Sequence, residues 1–391
     1  MEGNKNKKWW LTKSIIIATH KKPDEDSIVA TALIKMAGAK IAGFLFSGAG
    51  DMSLHPQLDF KNVVWIDRGR RGFDHHGVSG KTSTDIVAEE LGISDEKWIR
   101  SILRHVRRAD LEGRSEPFDL NDMLKAIARE ENDDYKIMEL GLKIAEAIIK
   151  FHKDEMKRNN TKAAKIILEF FGDETKMPKR VHHYFELLKN PDFVRPLDFV
   201  ELATVDEGLA REVLKFILSD IGKYIEAEKE IEKAQKIEVL GHLIVVGESD
   251  NPKFNVKARE MGAAVVVQKN STGHVQIFFN NKILPPALIE KMAEDLIEVL
   301  RLREISLDPS KRLPPQKELR IIGKLPEVPE WYFFRGEKGG CLLLNGSLTS
   351  PEVSPTKIPL QEIAGFVEDN LKTHLERTIS GRNQKKQQNK R

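Results

Sequence analysis

Several acidic and histidine side chains in the first third of the chain are of the types that bind divalent cations. In chain order they are His20, Asp24, Asp26, Asp67 and the tripeptide Asp74-His75-His76, and Asp110 can add a further carboxylate. Mixed carboxylate and imidazole ligands without a thiolate suit Mn²⁺ or Mg²⁺ better than structural zinc. The set is large enough to hold two cations side by side, and paired cations are a device for cleaving phosphate esters. These residues therefore predict hydrolysis of a phosphate ester or anhydride.

The first motif follows a strand that we expect to be buried. Ser14–Thr19 is a short, continuous apolar run, which is typical of a strand in a parallel sheet. Pro23 forces the chain into a turn, and apolar residues then recur with helical spacing after Asp26 or Ser27, either of which is a natural N-cap. The ligands of the first motif should therefore lie on a strand-to-helix turn, where parallel α/β sheets bind their ligands.

The second motif repeats this arrangement. The apolar run Asn62–Asp67 should bring its final aspartate to the same edge of the sheet, and the basic turn Arg68–Gly72 leads into the Asp-His-His tripeptide at residues 74–76. Thr82–Asp85 then predicts a capping box at the start of another helix. A third helix, from about Asp95 to Ala109, should end at Asp110.

Taken together, these motifs resemble the four-motif set of the DHH phosphoesterases. This superfamily includes RecJ-like exonucleases, oligoribonucleases, cyclic-dinucleotide phosphodiesterases and manganese pyrophosphatases. The matching positions are His20-x-x-Pro23-Asp24-x-Asp26, a strand ending in Asp67, the tripeptide Asp74-His75-His76, and Asp110. The first motif is most similar to the pyrophosphatase and RecJ form, whereas the close spacing of the next two is similar to the Myg-type hydrolases. The resemblance covers about the first 115 residues.

The resemblance implies a role for each matching residue. It implies two Mn²⁺ or Mg²⁺ ions that activate a water molecule between them. The implied assignments are His20 and Asp24 on the first ion, Asp26, His75 and Asp110 on the second, Asp67 as the bridge between them, Asp74 as the residue that orients a histidine, and His76 at the substrate phosphate. Of these, the resemblance makes Asp67, Asp74 and His76 the catalytic group.

Three features depart from the family pattern. Glu25 stands where many relatives have Gly, and it is either a turn residue or an extra carboxylate. Asp110 lacks the small hydroxyl neighbours usual in the fourth motif, so that Asp119 and Asp122 are alternatives for the last ligand. The Gly-Gly-Gly-His element of many relatives is missing, and the nearest sequence, Gly339-Gly340-Cys341, has no histidine.

The length of 391 residues fits two domains and a connector. We expect an α/β protein with an N-terminal DHH-type parallel-sheet domain at residues 1–119, a helical connector at 120–236, a smaller C-terminal α/β domain that caps the site or binds substrate at 237–375, and a basic disordered tail at 376–391. The tail is as compatible with holding an RNA backbone as with a purely solubilising role.

Other polar clusters have a functional and a plainer interpretation. In the segment 331–340, Arg335 and Lys338 are candidate substrate phosphate contacts, but strand and turn signals favour a hairpin with buried aromatic residues. The arginines of the basic turn at 68–72 are either phosphate contacts or, as the pattern favours, a solvated turn. The pair His182-His183 is expected to face solvent rather than bind metal.

Composition limits the partners and the compartment. The formal net charge of +3 gives no strong overall field that would attract nucleic acid. A single cysteine, Cys341, excludes an intrachain disulfide and indicates a reducing compartment. No apolar stretch has the length of a membrane span. We therefore expect a cytoplasmic protein that acts on a nucleotide or a short single-stranded nucleic acid, with no membrane partner and with a homodimer left open.

Three functions are compatible with the sequence. The first is a metal-dependent phosphodiesterase or exonuclease acting on nucleotides, short oligonucleotides or single-stranded RNA or DNA. The second is a manganese-dependent inorganic pyrophosphatase, which the form of the first motif favours. The third is a non-catalytic regulatory module on a DHH scaffold, which Glu25 and the surroundings of Asp110 would support.

Overall fold

The computed structural model describes residues 8–47, 62–67, 72–75, 80–190, 198–336, 340–346 and 353–388. The chain divides into two compact units, residues 1–221 and residues 222–391.

The first unit combines a small parallel sheet with many helices. Its described elements are α1 (Trp9–Thr12), β1 (Ser14–His20), α2 (Glu25–Met36), β2 (Lys40–Ser47), β3 (Val63–Trp65), α3 (Ser83–Leu91), α4 (Lys97–Asp110), α5 (Leu120–Glu130), α6 (Asp134–Lys153), α7 (Asn160–Phe171), a 3₁₀ turn at Glu174–Lys176, α8 (Lys179–Lys189), α9 (Asp198–Val205) and the greater part of α10 (Glu207–Lys233).

The three described strands of this unit form the parallel sheet that the sequence predicted. Their order is β2-β1-β3, and both pairings are parallel. The central strand buries Ile15, Ile17 and Ala18 completely or almost so. The continuous apolar character of β1 is explained by this position, because a central parallel strand is covered on both faces. Strand β2, in contrast, was not predicted.

Polar caps fix the starts of the helices near this sheet. Asp24, and not Asp26 or Ser27 as predicted, is the N-cap of α2, since its Oδ1 accepts the Ser27 amide at 3.1 Å. The predicted capping box of α3 is confirmed: Thr82 and Asp85 exchange side-chain and backbone hydrogen bonds. Helix α4 ends at Asp110, as predicted.

The helices between residues 120 and 221 pack into the same core as the small sheet. Gly141 of α6 shows how closely they approach, because a Cβ atom there would lie 2.6 Å from Cδ1 of Ile28 on α2. Met123, Ile144 and Phe199 are fully buried in this shared cluster. This helical region, predicted as a connector over residues 120–236, is thus part of the first compact unit up to residue 221.

The second unit is built on a larger mixed sheet. Its elements after α10 are β4 (Gln235–Val239), β5 (His242–Glu248), α11 (Phe254–Glu260), β6 (Ala263–Lys269), β7 (Val275–Phe279), α12 (Pro286–Ser306), a 3₁₀ turn at Gln316–Arg320, β8 (Gly323–Leu325), β9 (Val328–Arg335), β10 (Cys341–Leu344) and α13 (Leu360–Gln388). The seven described strands follow the order β4-β5-β6-β7-β10-β9-β8, and among them only β5 and β6 pair in parallel.

Two segments of this unit bear on the sequence predictions. Strands β9 and β10 form an antiparallel hairpin in which Trp331 and Phe333 are fully buried, as the hairpin interpretation required. Helix α13 continues to Gln388, through most of the segment for which we expected disorder. A helix already docked by Ile363, Val367 and Leu371 can propagate into polar sequence, because each added residue gains a backbone hydrogen bond without a new nucleation step. Among the described residues, no helix combines the length and apolar character needed to cross a bilayer.

Candidate metal centre

The register between β1 and β3 brings the proposed ligands His20 and Asp67 together. Ala18 of β1 lies opposite Trp65 of β3, and the amide of Ile66 donates to the Ala18 carbonyl at 2.9 Å. His20 and Asp67 each follow that pair by two residues, so they leave the sheet side by side. Nε2 of His20 lies 3.3 Å from Oδ2 of Asp67. Both side chains thus lie at the carboxyl edge of the sheet, the usual ligand position in parallel α/β folds.

Asp67 has an unusual backbone conformation. Its φ of 54° is in the left-handed region, where Asp and Asn are tolerated better than most residues. A tight return of the chain holds it there, because the Asp67 amide donates to the carbonyl of Phe73 at 3.1 Å and the Phe73 amide donates to Trp65 at 2.8 Å. Gly72 is required in this return, since a Cβ atom there would lie 2.6 Å from the Trp65 carbonyl. Backbone strain of this kind is concentrated at functional sites.

The first cluster of ligand atoms contains His20, Asp24 and Asp67. One atom from each lies within 4.8 Å of the other two, with Nε2 of His20 at 3.5 Å from Oδ1 of Asp24. The other ring nitrogen, Nδ1 of His20, lies 2.9 Å from the carbonyl oxygen of Lys21, to which it can donate. That hydrogen bond leaves Nε2 as the atom that can offer a lone pair to a cation.

The second cluster contains Asp26, His75 and Asp110, again within 4.8 Å of one another. Nδ1 of His75 lies 3.3 Å from Oδ2 of Asp26, and Nε2 of His75 lies 3.5 Å from Oδ2 of Asp110. The same Nδ1 atom lies 3.1 Å from Oδ1 of Asp67. One oxygen of Asp67 therefore faces the first cluster, and the other faces the second.

Asp26 is oriented by the start of α3. Its Oδ2 accepts the amide of Ser83 and its Oδ1 accepts the amide of Thr84, both at 2.8 Å. The Thr84 hydroxyl also donates to the Asp26 carbonyl at 3.0 Å. The free amides of a helix N-terminus favour a carboxylate, so the Thr82 capping box and the Asp26 anchor belong to one structure. This contact joins residues far apart in the sequence, and no local pattern indicated it.

Four carboxylates and two histidines meet at this site, and burial together with their mutual interactions shifts the pKa values of several of them. Burial, followed by the charges of Asp26 and Asp24, raises the pKa of Asp110 to about 7. Hydrogen bonds to Asp26 and Asp67 raise the pKa of His75 to about 11 despite its burial. Burial lowers the pKa of His20, but Asp24 and Asp67 more than offset it, so that the pKa lies well above its usual value.

The residues present fit divalent cations. Oδ2 of Asp110 is buried and accepts no hydrogen bond from the part of the chain that the structure describes. Four carboxylates and two imidazoles surround a small volume, and a cation between them would offset the burial and the carboxylate repulsion that together raise the pKa of Asp110. The donors are oxygen and imidazole nitrogen, which suits Mn²⁺ or Mg²⁺. His20, Asp24 and Asp67 would hold one ion, and Asp26, His75 and Asp110 the other.

The alternatives to Asp110 have structural roles instead. Asp119 is the N-cap of α5 and accepts the Asp122 amide at 2.7 Å. Asp122 accepts the amide of Phe118 at 2.9 Å. Neither belongs to the two ligand clusters, so Asp110 is the one of these three aspartates that the fold brings to them.

The remaining candidate residues are placed as follows. Asp74 is half-buried and directly precedes His75, but its proposed orienting role stays a prediction. His76 and Lys338 lie outside the described residues, as do the arginines of the basic turn. Arg335 ends β9, and its guanidinium pairs with Glu290 of α12.

Residues Glu174, His182 and Glu186 form a further group near α8, but His182 and Glu186 are exposed and the closest His182–Glu186 contact is 4.0 Å. His182 and Glu186 therefore resemble the ordinary surface charges of a helix. The exposure of His182 agrees with the prediction that the pair His182-His183 faces solvent.

The described side chains thus define a class of site: a carboxylate- and histidine-lined cluster that could hold divalent cations, at the carboxyl edge of a parallel sheet. Neither a family model nor a curated protein sequence matches the chain.

Solved structures with a partly similar fold were found at low sequence identity. The pGpG-specific phosphodiesterase PggH from Vibrio cholerae is 14% identical, with 73% of this chain and 88% of PggH covered and a TM-score of 0.40. RecJ from Thermus thermophilus in complex with Mn²⁺ is 12% identical, with 92% of this chain but only 52% of RecJ covered and a TM-score of 0.41. CDC45 from Entamoeba histolytica is 9% identical, with 92% and 95% covered and a TM-score of 0.37.

RecJ belongs to the superfamily that the sequence motifs resemble. The chain spans about half the length of RecJ. All three TM-scores are below 0.5, so the assignment of a function depends on the geometry of the site itself.

Proposed function

We propose that this protein is a phosphohydrolase that uses two divalent cations, Mn²⁺ or Mg²⁺, to cleave phosphodiester bonds in nucleotides or short single-stranded nucleic acids. The observation that supports this proposal most directly is the placement of Asp67. Its two carboxylate oxygens lie 3.3 Å from His20 and 3.1 Å from His75, one in each ligand cluster. A single carboxylate shared by two adjacent sets of ligands is the arrangement that a pair of neighbouring cations needs.

Two bound cations supply a water of lowered pKa and positive charge for the phosphoryl oxygens. The chain's part is to fix the donors in advance, because preorganised charges need no rearrangement during the reaction. The strand edge fixes His20 and Asp67, and the two amides of α3 fix Asp26. Asp74 and His76 remain our candidates for orienting a ligand and for contacting the phosphate, and Arg335 and Lys338 for binding substrate.

The proposed substrate class follows from the resemblance of the motifs rather than from a specificity pocket. The first motif also resembles that of pyrophosphatases, so inorganic pyrophosphate is the competing substrate. The two interpretations differ in the bond that is cleaved: a diester in one case and an anhydride in the other.

A panel of substrates tests the proposal. Purified protein with Mn²⁺ or Mg²⁺ is offered bis-p-nitrophenyl phosphate, labelled short RNA and DNA, and pyrophosphate. We expect hydrolysis of the diesters, loss of activity with EDTA, and recovery on adding Mn²⁺. Hydrolysis of pyrophosphate alone would make the protein a pyrophosphatase. Metal binding without turnover of any substrate would favour the regulatory module.

A further inference from the structure

A second polar cluster lies beside the candidate metal centre but contributes no ligand to it. Glu25 stands between the proposed ligands Asp24 and Asp26, in the first turn of α2, and is only 2% exposed. Its Oε1 lies 2.7 Å from Nδ1 of His105 on α4. The other oxygen, Oε2, is buried and accepts no hydrogen bond from the described part of the chain. A buried carboxylate is strongly unfavourable without a charged partner, so His105 is what allows Glu25 to be buried here.

His105 is in turn held on its other side. Its Nε2 lies 3.5 Å from Oδ2 of Asp119 and 3.5 Å from Oδ2 of Asp198. Asp119 is the N-cap of α5, and Asp198, at the start of α9, accepts the amide of Leu120 at 2.7 Å. Burial lowers the pKa of His105, but Asp198, Asp119 and Glu25 raise it to about 12. The imidazolium therefore connects α2 to α4, α5 and α9.

The two helices that this contact joins are the ones that share the second cation cluster. Asp26 follows Glu25 directly on α2, and Asp110 lies on α4, the helix that carries His105. Five residues of helix span about 7.5 Å as a rigid rod, so a displacement of α4 at His105 also moves Asp110. A carboxylate oxygen of Asp110 lies within 4.8 Å of the ligand atoms of Asp26 and His75, a spacing that a shift of an ångström would disrupt.

We propose that His105 is a positioning residue of the metal centre: through its hydrogen bond to Glu25 it holds Asp110 on α4 at the distance from Asp26 on α2 that the second cation requires. This inference rests on the proposed function, since it assumes that the second cluster binds a cation. The proposal also gives Glu25 a role. This residue is too buried to be a solvated turn residue, and it belongs to neither ligand cluster.

The test measures metal affinity separately from stability. Mn²⁺ is titrated calorimetrically into the full chain and into His105→Gln, Glu25→Ala and Glu25→Gln, and thermal midpoints are recorded without metal. The matched control is His152→Gln, because His152 forms a second buried His–Glu pair in the same unit, with its Nε2 3.0 Å from Oε2 of Glu201.

The wild-type chain is expected to bind two Mn²⁺ ions. His105→Gln and Glu25→Ala should each weaken one of the two by about 10- to 100-fold, the usual effect of removing a group that orients a ligand. Glu25→Gln keeps an acceptor for Nδ1 of His105 and should retain most of the affinity. Combining His105→Gln with Glu25→Ala should cost no more affinity than either alone. His152→Gln should lower the thermal midpoint and leave the Mn²⁺ isotherm unchanged.

The outcomes separate this inference from the proposed function. A wild-type chain that binds no Mn²⁺ would overturn both. A wild type that binds two ions, with His105→Gln and Glu25→Ala binding them equally tightly, would overturn the positioning role and leave the metal centre intact. Glu25→Ala and Glu25→Gln keep the test decisive if His105→Gln does not fold.

Discussion

Replacing Asp67 by Asn is the sharpest test of the dinuclear arrangement. Asn has the same size as Asp and also tolerates the left-handed conformation, so the substitution removes the charge while sparing the φ of 54°. Ala would remove the charge and add backbone strain, which would confuse the result. Asp67 is only 6% exposed, so solvent screens its charge weakly.

The size of the effect follows from the distances. The oxygens of Asp67 lie 3.3 Å and 3.1 Å from the ring nitrogens of His20 and His75, one histidine in each ligand cluster. At an effective dielectric constant of about 20, one pair of unit charges about 4 Å apart contributes about 4 kcal/mol. A loss of about 4 kcal/mol in the transition state lowers kcat/KM by about 10³-fold, and we take this as the minimum, since two cations are affected.

The assay is hydrolysis of bis-p-nitrophenyl phosphate with Mn²⁺, accompanied by a calorimetric Mn²⁺ titration. Asp220→Asn provides the control, because Asp220 is another buried aspartate of the first unit, paired with Arg129 at 2.9 Å and distant from the candidate ligands in sequence. It should reduce stability and leave turnover unchanged. An Asp67→Asn variant with turnover within about tenfold of wild type, a difference of about 1.4 kcal/mol, would remove Asp67 from the mechanism.

Three further predictions concern stability. Mn²⁺ at about 100 times its Kd should stabilise the first unit by about 2.7 kcal/mol. Removing the metal with EDTA should therefore lower the thermal midpoint of this unit by about 5–11 °C. An identical midpoint with and without Mn²⁺ would contradict metal binding at the proposed site. Thr82→Ala should destabilise the protein by about 1 kcal/mol through loss of the α3 cap, and it should also weaken Mn²⁺ binding, because the same turn presents the amides that hold Asp26. Denaturation and calorimetry measure the two effects, and a variant that loses stability but keeps its Mn²⁺ affinity would contradict this link. Arg301→Met should lower the free energy of unfolding, measured by chemical denaturation, by at least about 3 kcal/mol and leave the Mn²⁺ affinity intact. The reason is that the fully buried guanidinium donates to four carbonyl groups within the second unit. A free energy of unfolding within about 1 kcal/mol of wild type would refute this.

Local sequence patterns were sufficient for the elements that carry the site. The apolar run before His20 predicted β1, the Thr82 cap predicted the start of α3, and the strand-to-helix turn predicted where the first motif lies. Each of these signals is contained within a few consecutive residues: burial on both faces of a strand, or a side chain that satisfies amides of its own helix. The residue types alone indicated oxygen and imidazole ligands.

The arrangement of those ligands depended on contacts between distant parts of the chain. Only the register of β1 with β3 places His20 beside Asp67, and only the return of the chain through Gly72 fixes the left-handed conformation that turns the two oxygens of Asp67 toward separate clusters. The choice of Asp110 over Asp119, the amides that hold Asp26, and the burial of Glu25 against His105 have the same origin. Sequence periodicity records which side of an element is buried, but the partner on that side is selected by packing and hydrogen bonding in three dimensions, and that selection is a property of the tertiary structure.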